Sequence, residues 1–133
     1  MMEIYKSDYV QVYFDDTTSL LEQKYSAKDF TNIKFVKEHR EILELIKKIK
    51  PEKFLIDLTE RETPINEVNE EWLLRGLMPE VVRGGLEKMA FIVNDEFNSP
   101  VSIEQIAEMQ SKRIIVPQYF DDMEIAKDWL LNE

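Results

Sequence analysis

The spacing of hydrophobic positions changes near residue 27, which predicts a β-rich N-terminal part followed by alternating helices and strands. Residues 9–14 are mostly β-branched or aromatic, as is typical of a strand. Residues 15–19 (Asp-Asp-Thr-Thr-Ser) favour a turn, because short polar side chains hydrogen-bond the backbone. Residues 20–26 can return as an antiparallel strand, and residues 2–5 can add a short piece before the pair. We therefore expect the chain to open with a β-hairpin.

An amphipathic helix of roughly four or five turns is predicted next. Apolar side chains, with one histidine among them, recur at three- and four-residue steps, and charged side chains such as Lys37 and Arg40 fill the other face. The positions on the apolar stripe are Phe35, Val36, His39, Ile42, Leu43, Ile46 and Ile49. The helix is expected to end before Pro51, because the residue preceding a proline disfavours the helical conformation.

The rest of the chain alternates between short apolar runs and helical segments. Three apolar runs predict strands, at residues 53–58, 88–93 and 113–120. Three helices are predicted from their start signals, which are Thr63-Pro64, the Ser102–Gln105 capping box, and Asp121 or Asp122. We expect Pro79 to break or restart the first of these helices and Gly84-Gly85 to end it. In the last helix, Ile125, Ala126, Trp129 and Leu130 are expected to share one face.

Alternating strands and helices join through right-handed crossovers and form parallel strand pairs. We therefore predict an α/β fold, with an N-terminal β-hairpin followed by alternating helices and strands in a mixed sheet of about five strands. The five prolines are spread singly, and no Gly/Ser-rich or Pro-rich linker divides the chain. A single domain over residues 1–133 is expected.

The composition excludes several classes of function. The 133 residues include 27 Asp and Glu against 17 Lys and Arg, giving a net charge of −10, with one histidine and no cysteine. The lack of cysteine excludes disulfides, thiolate metal sites and cysteine nucleophiles, and a single histidine excludes sites that need several imidazoles. The acidic balance argues against binding nucleic acid or an anionic membrane surface. At 44% hydrophobic residues, the chain can nonetheless bury a core.

Neither a secretion signal nor a membrane span is expected. The N-terminus lacks a basic segment followed by an apolar one, and the longest apolar runs are only a few residues, far shorter than a span. A cytoplasmic protein without membrane insertion is therefore predicted.

Gly84-Gly85 fits no glycine-rich phosphate-binding pattern, so no cofactor is expected. Asp15-Asp16 and Asp121-Asp122 lack the calcium-loop pattern, so no metal is expected either.

Three segments resemble the STAS-like (SpoIIAA-like) family, in particular its small bacterial members. The first is Phe54-Leu55-Ile56-Asp57, a strand that ends in Asp before the loop to the next helix. The second is Gly85–Val93, which matches the entry into the penultimate strand, and the third is Tyr119–Leu130, which is similar to an "F-D-…-E-A-…-W-L" ending. At the level of pattern, the resemblance covers nearly the whole chain.

The resemblance implies a mixed sheet flanked by helices and a regulatory function. Well-known STAS domains bind a partner protein and are switched by phosphorylation of a Ser or Thr just after the central strand. Thr59 is the residue nearest to that position, but the Ser/Gly-rich surroundings are missing, and Glu60 and Glu62 would repel a phosphate. The resemblance therefore implies a binding module more strongly than a phosphorylation switch.

The sequence also offers a candidate ligand-binding site at the carboxyl ends of the strands, where α/β proteins bind ligands. If residues 53–58 and 88–93 pair in parallel, then Asp57, Thr59, Asn94 and Asp95 cluster there. The alternative, which we favour, is that these side chains hydrogen-bond their own loops. His39 lies on the apolar stripe without a nearby catalytic motif, so we expect a packed imidazole rather than a catalytic base.

Residues 70–82 carry more apolar side chains than one helical stripe can bury. The residues concerned are Trp72, Leu73, Leu74, Leu77, Met78, Val81 and Val82. Such an excess indicates a protein interface or a groove wall, unless a kink at Pro79 lets the chain bury both sides. The leading hypothesis is a non-enzymatic regulatory module that docks a partner protein, or a second copy, through Trp72–Val82. The alternatives are a carrier of a small lipophilic ligand beneath that segment and, less favoured, an enzyme using Asp57, Thr59 or His39.

Overall fold

The computed structural model describes residues 1–28, 31–60, 76–93, 115 and 117–132. These residues contain a six-stranded sheet whose strands follow one another in chain order. The strands are β1 Met2–Lys6, β2 Val10–Asp15, β3 Leu20–Tyr25, β4 Lys53–Asp57, β5 Lys88–Ile92 and β6 Gln118–Phe120, and the helices are α1 Asn32–Ile49, α2 Met78–Arg83 and α3 Met123–Leu131. The first three strands pair antiparallel, and β3 to β6 pair parallel. The sheet is therefore mixed and the fold α/β, as predicted, with six strands instead of about five.

The predicted hairpin is present and is extended by a third strand. β2 and β3 pair in register from Val10 opposite Tyr25 to Asp15 opposite Leu20. In the turn, Asp15 Oδ1 accepts hydrogen bonds from the Thr17 hydroxyl at 2.7 Å and the Thr17 N–H at 3.0 Å. These bonds stabilise the charged carboxylate and lower the pKa of Asp15 below its usual value. β1 then adds to the other side of β2.

Helix α1 begins and ends where local side-chain chemistry favours it. Thr31 is the N-cap, and its hydroxyl accepts from the Lys34 N–H at 3.2 Å. The helix ends at Ile49, before Pro51 as predicted. Lys50 adopts a left-handed conformation there, and its N–H donates to the Ile46 carbonyl. With Lys47 and Lys48 in the last turn, cations lie near the negative end of the helix dipole.

The sheet separates two hydrophobic layers, because alternate residues of each strand point to opposite faces. On one face, Phe54, Ile56 and Phe91 belong to the same buried cluster as Ile42 of α1 and Val81 of α2. On the other face, Leu55, Ala90, Ile92 and Leu20 pack with Ala126 and Leu130 of α3. Helices α1 and α3 therefore lie on opposite sides of the sheet.

Helix α2 ends at the two glycines, as predicted. The Leu86 N–H donates to the Val81 carbonyl at 2.9 Å and the Gly85 N–H to the Val82 carbonyl at 3.1 Å, which is the Schellman pattern. Gly85 has φ of 101°, a conformation that a glycine adopts without strain.

The remaining predictions concern two helix starts, the last strand and the last helix. The helix starts expected at Thr63 and Ser102 lie outside the described residues. Within 113–120 the described strand is Gln118–Phe120. Asp122, one of the two predicted caps, accepts from the Glu124 and Ile125 N–H groups. The prediction for Ile125 is wrong, since it is 58% exposed while Ala126 and Leu130 are buried. Consecutive helical residues lie 100° apart, so Ile125 and Ala126 point in different directions.

In the part of the chain that the structure describes, no helix is both long and apolar enough to cross a membrane.

Candidate functional site

The carboxyl ends of β3, β4 and β5 lie side by side at one edge of the sheet. Lys24 is opposite Asp57, and Asp57 is opposite Ile92 in the parallel pair that the sequence predicted. Asn94 and Asp95 follow β5 in the chain but lie outside the described residues. Of the four residues predicted at this edge, the structure thus describes Asp57 and Thr59.

Asp57 forms a tight hydrogen-bonded turn with Thr59. Its side chain is 5% exposed, and its Oδ1 accepts from the Thr59 hydroxyl at 2.6 Å and from the Thr59 N–H at 3.0 Å. In an Asx turn of this kind, the side-chain carboxylate accepts the hydrogen bond that a backbone carbonyl accepts in an ordinary turn. The arrangement is the loop hydrogen bonding that we favoured as the alternative for these residues. Ligand binding by Asp57, Thr59, Asn94 and Asp95, and phosphorylation of Thr59, stay predictions.

A chain of hydrogen bonds is buried between the sheet and α1. Gln23 Nε2 donates to the Tyr25 hydroxyl at 2.6 Å, the Tyr25 hydroxyl lies 2.5 Å from His39 Nε2, and His39 Nδ1 lies 2.7 Å from the Phe35 carbonyl. A carbonyl can only accept, so Nδ1 carries a proton. In the neutral imidazole Nε2 is then an acceptor, and the Tyr25 hydroxyl donates to it.

This polar chain is built into the core. The Gln23 and His39 side chains are fully buried, and the His39 ring stacks on Phe35 with centroids 3.8 Å apart. The prediction that His39 is a packed residue of the inner stripe is confirmed. Hydrogen bonds at both ring nitrogens and the stacked Phe35 ring hold the imidazole between β3 and α1, so this group can order the core.

Sequence analysis did not identify Gln23 and Tyr25 as partners of His39. The alternation along β3 does indicate that Gln23 and Tyr25 point inward, because they occupy every second position together with Leu21 and so share its face. A polar residue at an inward position indicates a buried hydrogen-bonding partner. Among the described residues, no donor reaches Gln23 Oε1. The amide is therefore half satisfied within this part of the chain.

The segment predicted as an interface or pocket wall is described from residue 76 onward. Trp72 and Leu74 lie outside the described residues. Leu77, Met78 and Val81 are buried in the core cluster beneath α2, and Val82 is half-buried. The side chains of Leu77, Met78 and Val81 thus pack against the protein's own sheet, and an interface or pocket role for the segment stays a prediction.

A cleft of about 290 Å³ lies where the C-terminal ends of α1 and α2 meet. Its apolar lining comes from Ile46, Pro51 and Val81, and its charged lining from Lys47, Lys50, Glu80 and Arg83, with Gly84 completing the wall. Two of the cations are partly neutralised, because Lys47 pairs with Glu44 at 3.3 Å and Arg83 with Glu80 at 2.9 Å. The cleft is at the lower end of the size of small-molecule pockets.

The outer surface of α1 near its N-terminus presents an apolar side chain among cations. We call Ile33, Val36, Lys37 and Arg40 the α1 patch; together with Asn32 and Glu41 they line a shallow depression. Ile33 is 83% exposed. Neither Lys37 nor Arg40 forms an ion pair with a described residue, whereas the neighbouring Lys34 donates to the Tyr9 hydroxyl at 3.0 Å, a bond that raises the pKa of Lys34.

The outer surface of α3 carries the opposite charge. We call Glu124, Ile125, Asp128 and Leu131 the α3 patch. Ile125 is 58% and Leu131 42% exposed, and Glu124 and Asp128 are exposed as well. The α1 patch thus combines the exposed Ile33 with two cations, next to the Glu41 carboxylate that accepts from the Tyr5 hydroxyl, and the α3 patch combines two exposed aliphatic side chains with two anions. Neither patch was identified from the sequence.

Among the described residues, no group of three or more His, Asp or Glu side chains could hold a metal ion.

Comparisons with protein-family models, with curated proteins and with solved structures found no match to this chain. The STAS-like resemblance therefore stays a prediction that depends on the three sequence segments quoted above.

Proposed function

We propose that this protein is a non-enzymatic interaction module, of the regulatory type that the STAS-like resemblance implies, and that it docks an acidic partner protein on the α1 patch. The observation that carries the proposal is the depression that the 83% exposed Ile33 and the half-buried Val36 line together with Lys37 and Arg40. Neither cation forms an ion pair with a described residue. Exposed aliphatic groups rimmed by charge are typical of protein-binding surfaces. Lys37 and Arg40 favour acidic partners in particular, because complementary charge steers association.

This proposal moves the docking surface from the segment that the sequence favoured. Leu77, Met78 and Val81 of Trp72–Val82 are buried in the core, so these three side chains are not free to meet a partner. Trp72 and Leu74, which lie outside the described residues, remain candidate interface residues in addition to the α1 patch. The buried Gln23–Tyr25–His39 chain contributes by ordering α1 against the sheet, which keeps the patch in a fixed position.

The test is site-specific photo-crosslinking in cells that naturally produce the protein. Benzoylphenylalanine replaces Ile33 or, as a matched control, Lys48, which is exposed at the other end of the same helix. We expect an adduct of one defined mass at position 33 that is absent at position 48 and is lost when Lys37 and Arg40 are both changed to Glu. The absence of an adduct at position 33, or equal adducts at both positions, would overturn the proposal.

A second candidate function is the carrier hypothesis, and the cleft between α1 and α2 favours it. Val81, which belongs to the predicted pocket segment, lines this cleft together with Ile46 and Pro51. A volume of about 290 Å³ suits only a small ligand, whose apolar part would contact Ile46, Pro51 and Val81. A native mass spectrum of gently purified protein tests this candidate, since a carrier shows extra mass on each subunit and a pure interaction module shows none.

A further inference from the structure

The α1 patch and the α3 patch are complementary to each other. Helix α1 carries five Lys and Arg against three Glu, within a chain whose net charge is −10. In the α3 patch, both charged residues are acidic. Exposed aliphatic side chains accompany the cations at Ile33 and the anions at Ile125 and Leu131.

The spacing of the two patches also agrees. Seven residue steps separate Ile33 from Arg40 in α1 and Leu131 from Glu124 in α3, with Lys37 four steps after Ile33 and Asp128 three steps before Leu131. Seven residues of helix correspond to about 10.5 Å. If the two helices pack antiparallel, Ile33 lies opposite Leu131 and Arg40 opposite Glu124. Lys37 then lies one residue, about 1.5 Å of helix rise, from the position directly opposite Asp128, which a lysine side chain easily spans. Each step along the contact then pairs an aliphatic group with an aliphatic group or a cation with an anion.

One molecule cannot make this contact with itself, because α1 and α3 lie on opposite faces of the sheet. We infer that the occupant of the α1 patch is the α3 patch of a second copy of this chain. This inference rests on the proposed function and names its partner. A contact between two different surfaces leaves one patch of each kind free, so copies add head to tail into an open chain unless the rotation closes a ring.

The charges of the two patches determine which surfaces pair, so reversing them is the first test. Two variants are compared with the wild type by sedimentation velocity over a range of concentrations and salt. One carries Lys37→Glu and Arg40→Glu, and the other carries Glu124→Lys and Asp128→Lys. We expect the wild type to grow in mass with concentration and to lose this growth at high salt, because exposed ion pairs are screened. Each variant alone is expected to dissociate about tenfold or more readily, since like charges then face each other.

Mixing the two variants is the decisive step. In the mixture, the acidic α1 patch of one variant meets the basic α3 patch of the other, and the remaining pair is complementary as well. Equimolar mixing should therefore restore the wild-type increase in mass. Circular dichroism of each variant verifies that it is folded. A wild type that stays monomeric at every concentration, or a folded pair that does not reassociate on mixing, would overturn the inference.

Engineered cysteines locate the contact independently, because the natural chain contains no cysteine. Under mild oxidation, the Ile33→Cys, Leu131→Cys double variant should form a ladder of covalent multimers. The matched control, Lys48→Cys with Leu131→Cys, should not. Failure of the inference is distinguishable from failure of the proposed function. If position 33 captures a chain of another mass in cells while purified protein stays monomeric, the docking function holds and the second copy is the wrong partner.

Discussion

Lys88, the first residue of β5, caps the C-terminal end of α3 through the carbonyl of Trp129. Its Nζ donates to that carbonyl at 2.8 Å and to the Asn132 carbonyl at 2.5 Å, and it lies 5.1 Å from the centre of the Trp129 ring. The last turn of α3 contains no basic residue of its own. Strand β5 thus supplies the cation that interacts favourably with the negative end of the helix dipole. The same side chain holds α3 against the sheet.

Replacing Lys88 should loosen α3. Lys88→Met keeps most of the aliphatic stem and removes the charged donor, so we expect the free energy of unfolding to fall by about 1–3 kcal/mol. Urea denaturation measures the change. The matched control is Lys127→Met on α3, which removes a partly exposed ion pair with Glu22 at 3.4 Å and should cost less than about 1 kcal/mol. Equal losses in the two variants would contradict a capping role for Lys88.

The two adjacent glycines should respond differently to alanine. Gly85 has φ of 101° and open space around an added Cβ, so Gly85→Ala should lower the free energy of unfolding by about 1–2 kcal/mol through backbone strain alone. Gly84 has φ of −77°, and its added Cβ would lie at ordinary contact distances of 3.4 Å or more. Gly84→Ala should therefore be neutral or slightly stabilising. Thermal unfolding of the pair tests this, and similar melting temperatures would exclude the assignment of strain to Gly85.

Tyr5 should make stability fall at alkaline pH. Burial, together with hydrogen bonds to Glu38 at 3.1 Å and Glu41 at 3.2 Å, raises the pKa of Tyr5 well above its ordinary value of 10.0. Above about pH 10 the unfolded chain loses this proton while the folded protein keeps it, so the contribution of Tyr5 is complete below pH 10 and declines as the pH rises.

The measurement compares the wild type with Tyr5→Phe by urea denaturation at pH 8 and at several values above 10. The stability advantage of the wild type should shrink as the pH rises. Tyr13→Phe, on the opposite face of the sheet, controls for the loss of a phenol. An advantage that stays constant across this range would show that the Tyr5 hydroxyl is not held by the two carboxylates.

How much of the fold could be predicted depended on how strongly each element is marked in the sequence. Helix α1 repeats its apolar residues along its 18 positions, and its end at Ile49 was marked by Pro51. Strand β1 is weakly marked, because only Ile4 and Tyr5 of its five residues are half-buried, and it was expected merely as a short piece. Ile125 was misplaced because its hydrophobicity was taken as a sign of burial, although single aliphatic residues are common on protein surfaces.

The candidate site was harder to predict than the elements. The position of His39 on the inner stripe was visible from its spacing, but its partner Tyr25 lies 14 residues earlier on a strand. No periodicity encodes which strand residue meets which helix residue across a core. The two charged patches were missed for a similar reason, since their complementarity depends on which faces the sheet leaves outward.

The Gln23–Tyr25–His39 chain should depend more on its tyrosine than on its glutamine. Tyr25→Phe removes both the bond that His39 Nε2 accepts and the acceptor of the Gln23 amide. Loss of partners from buried polar groups costs about 1–3 kcal/mol. Gln23→Leu removes one bond but also an amide oxygen that no described donor reaches, so its two effects oppose each other and a change below about 1 kcal/mol is expected.

Because these residues act as a unit, a double-mutant cycle separates their contributions. Once Tyr25 is Phe, the Gln23 amide has lost the partner to which it donated, and Gln23→Leu should then be stabilising. The combined variant is thus expected to be more stable than Tyr25→Phe alone, as measured by urea denaturation. If Gln23→Leu destabilises the protein by the same amount in both backgrounds, the Gln23 amide does not depend on the Tyr25 hydroxyl, and the hydrogen bond between them contributes nothing to stability.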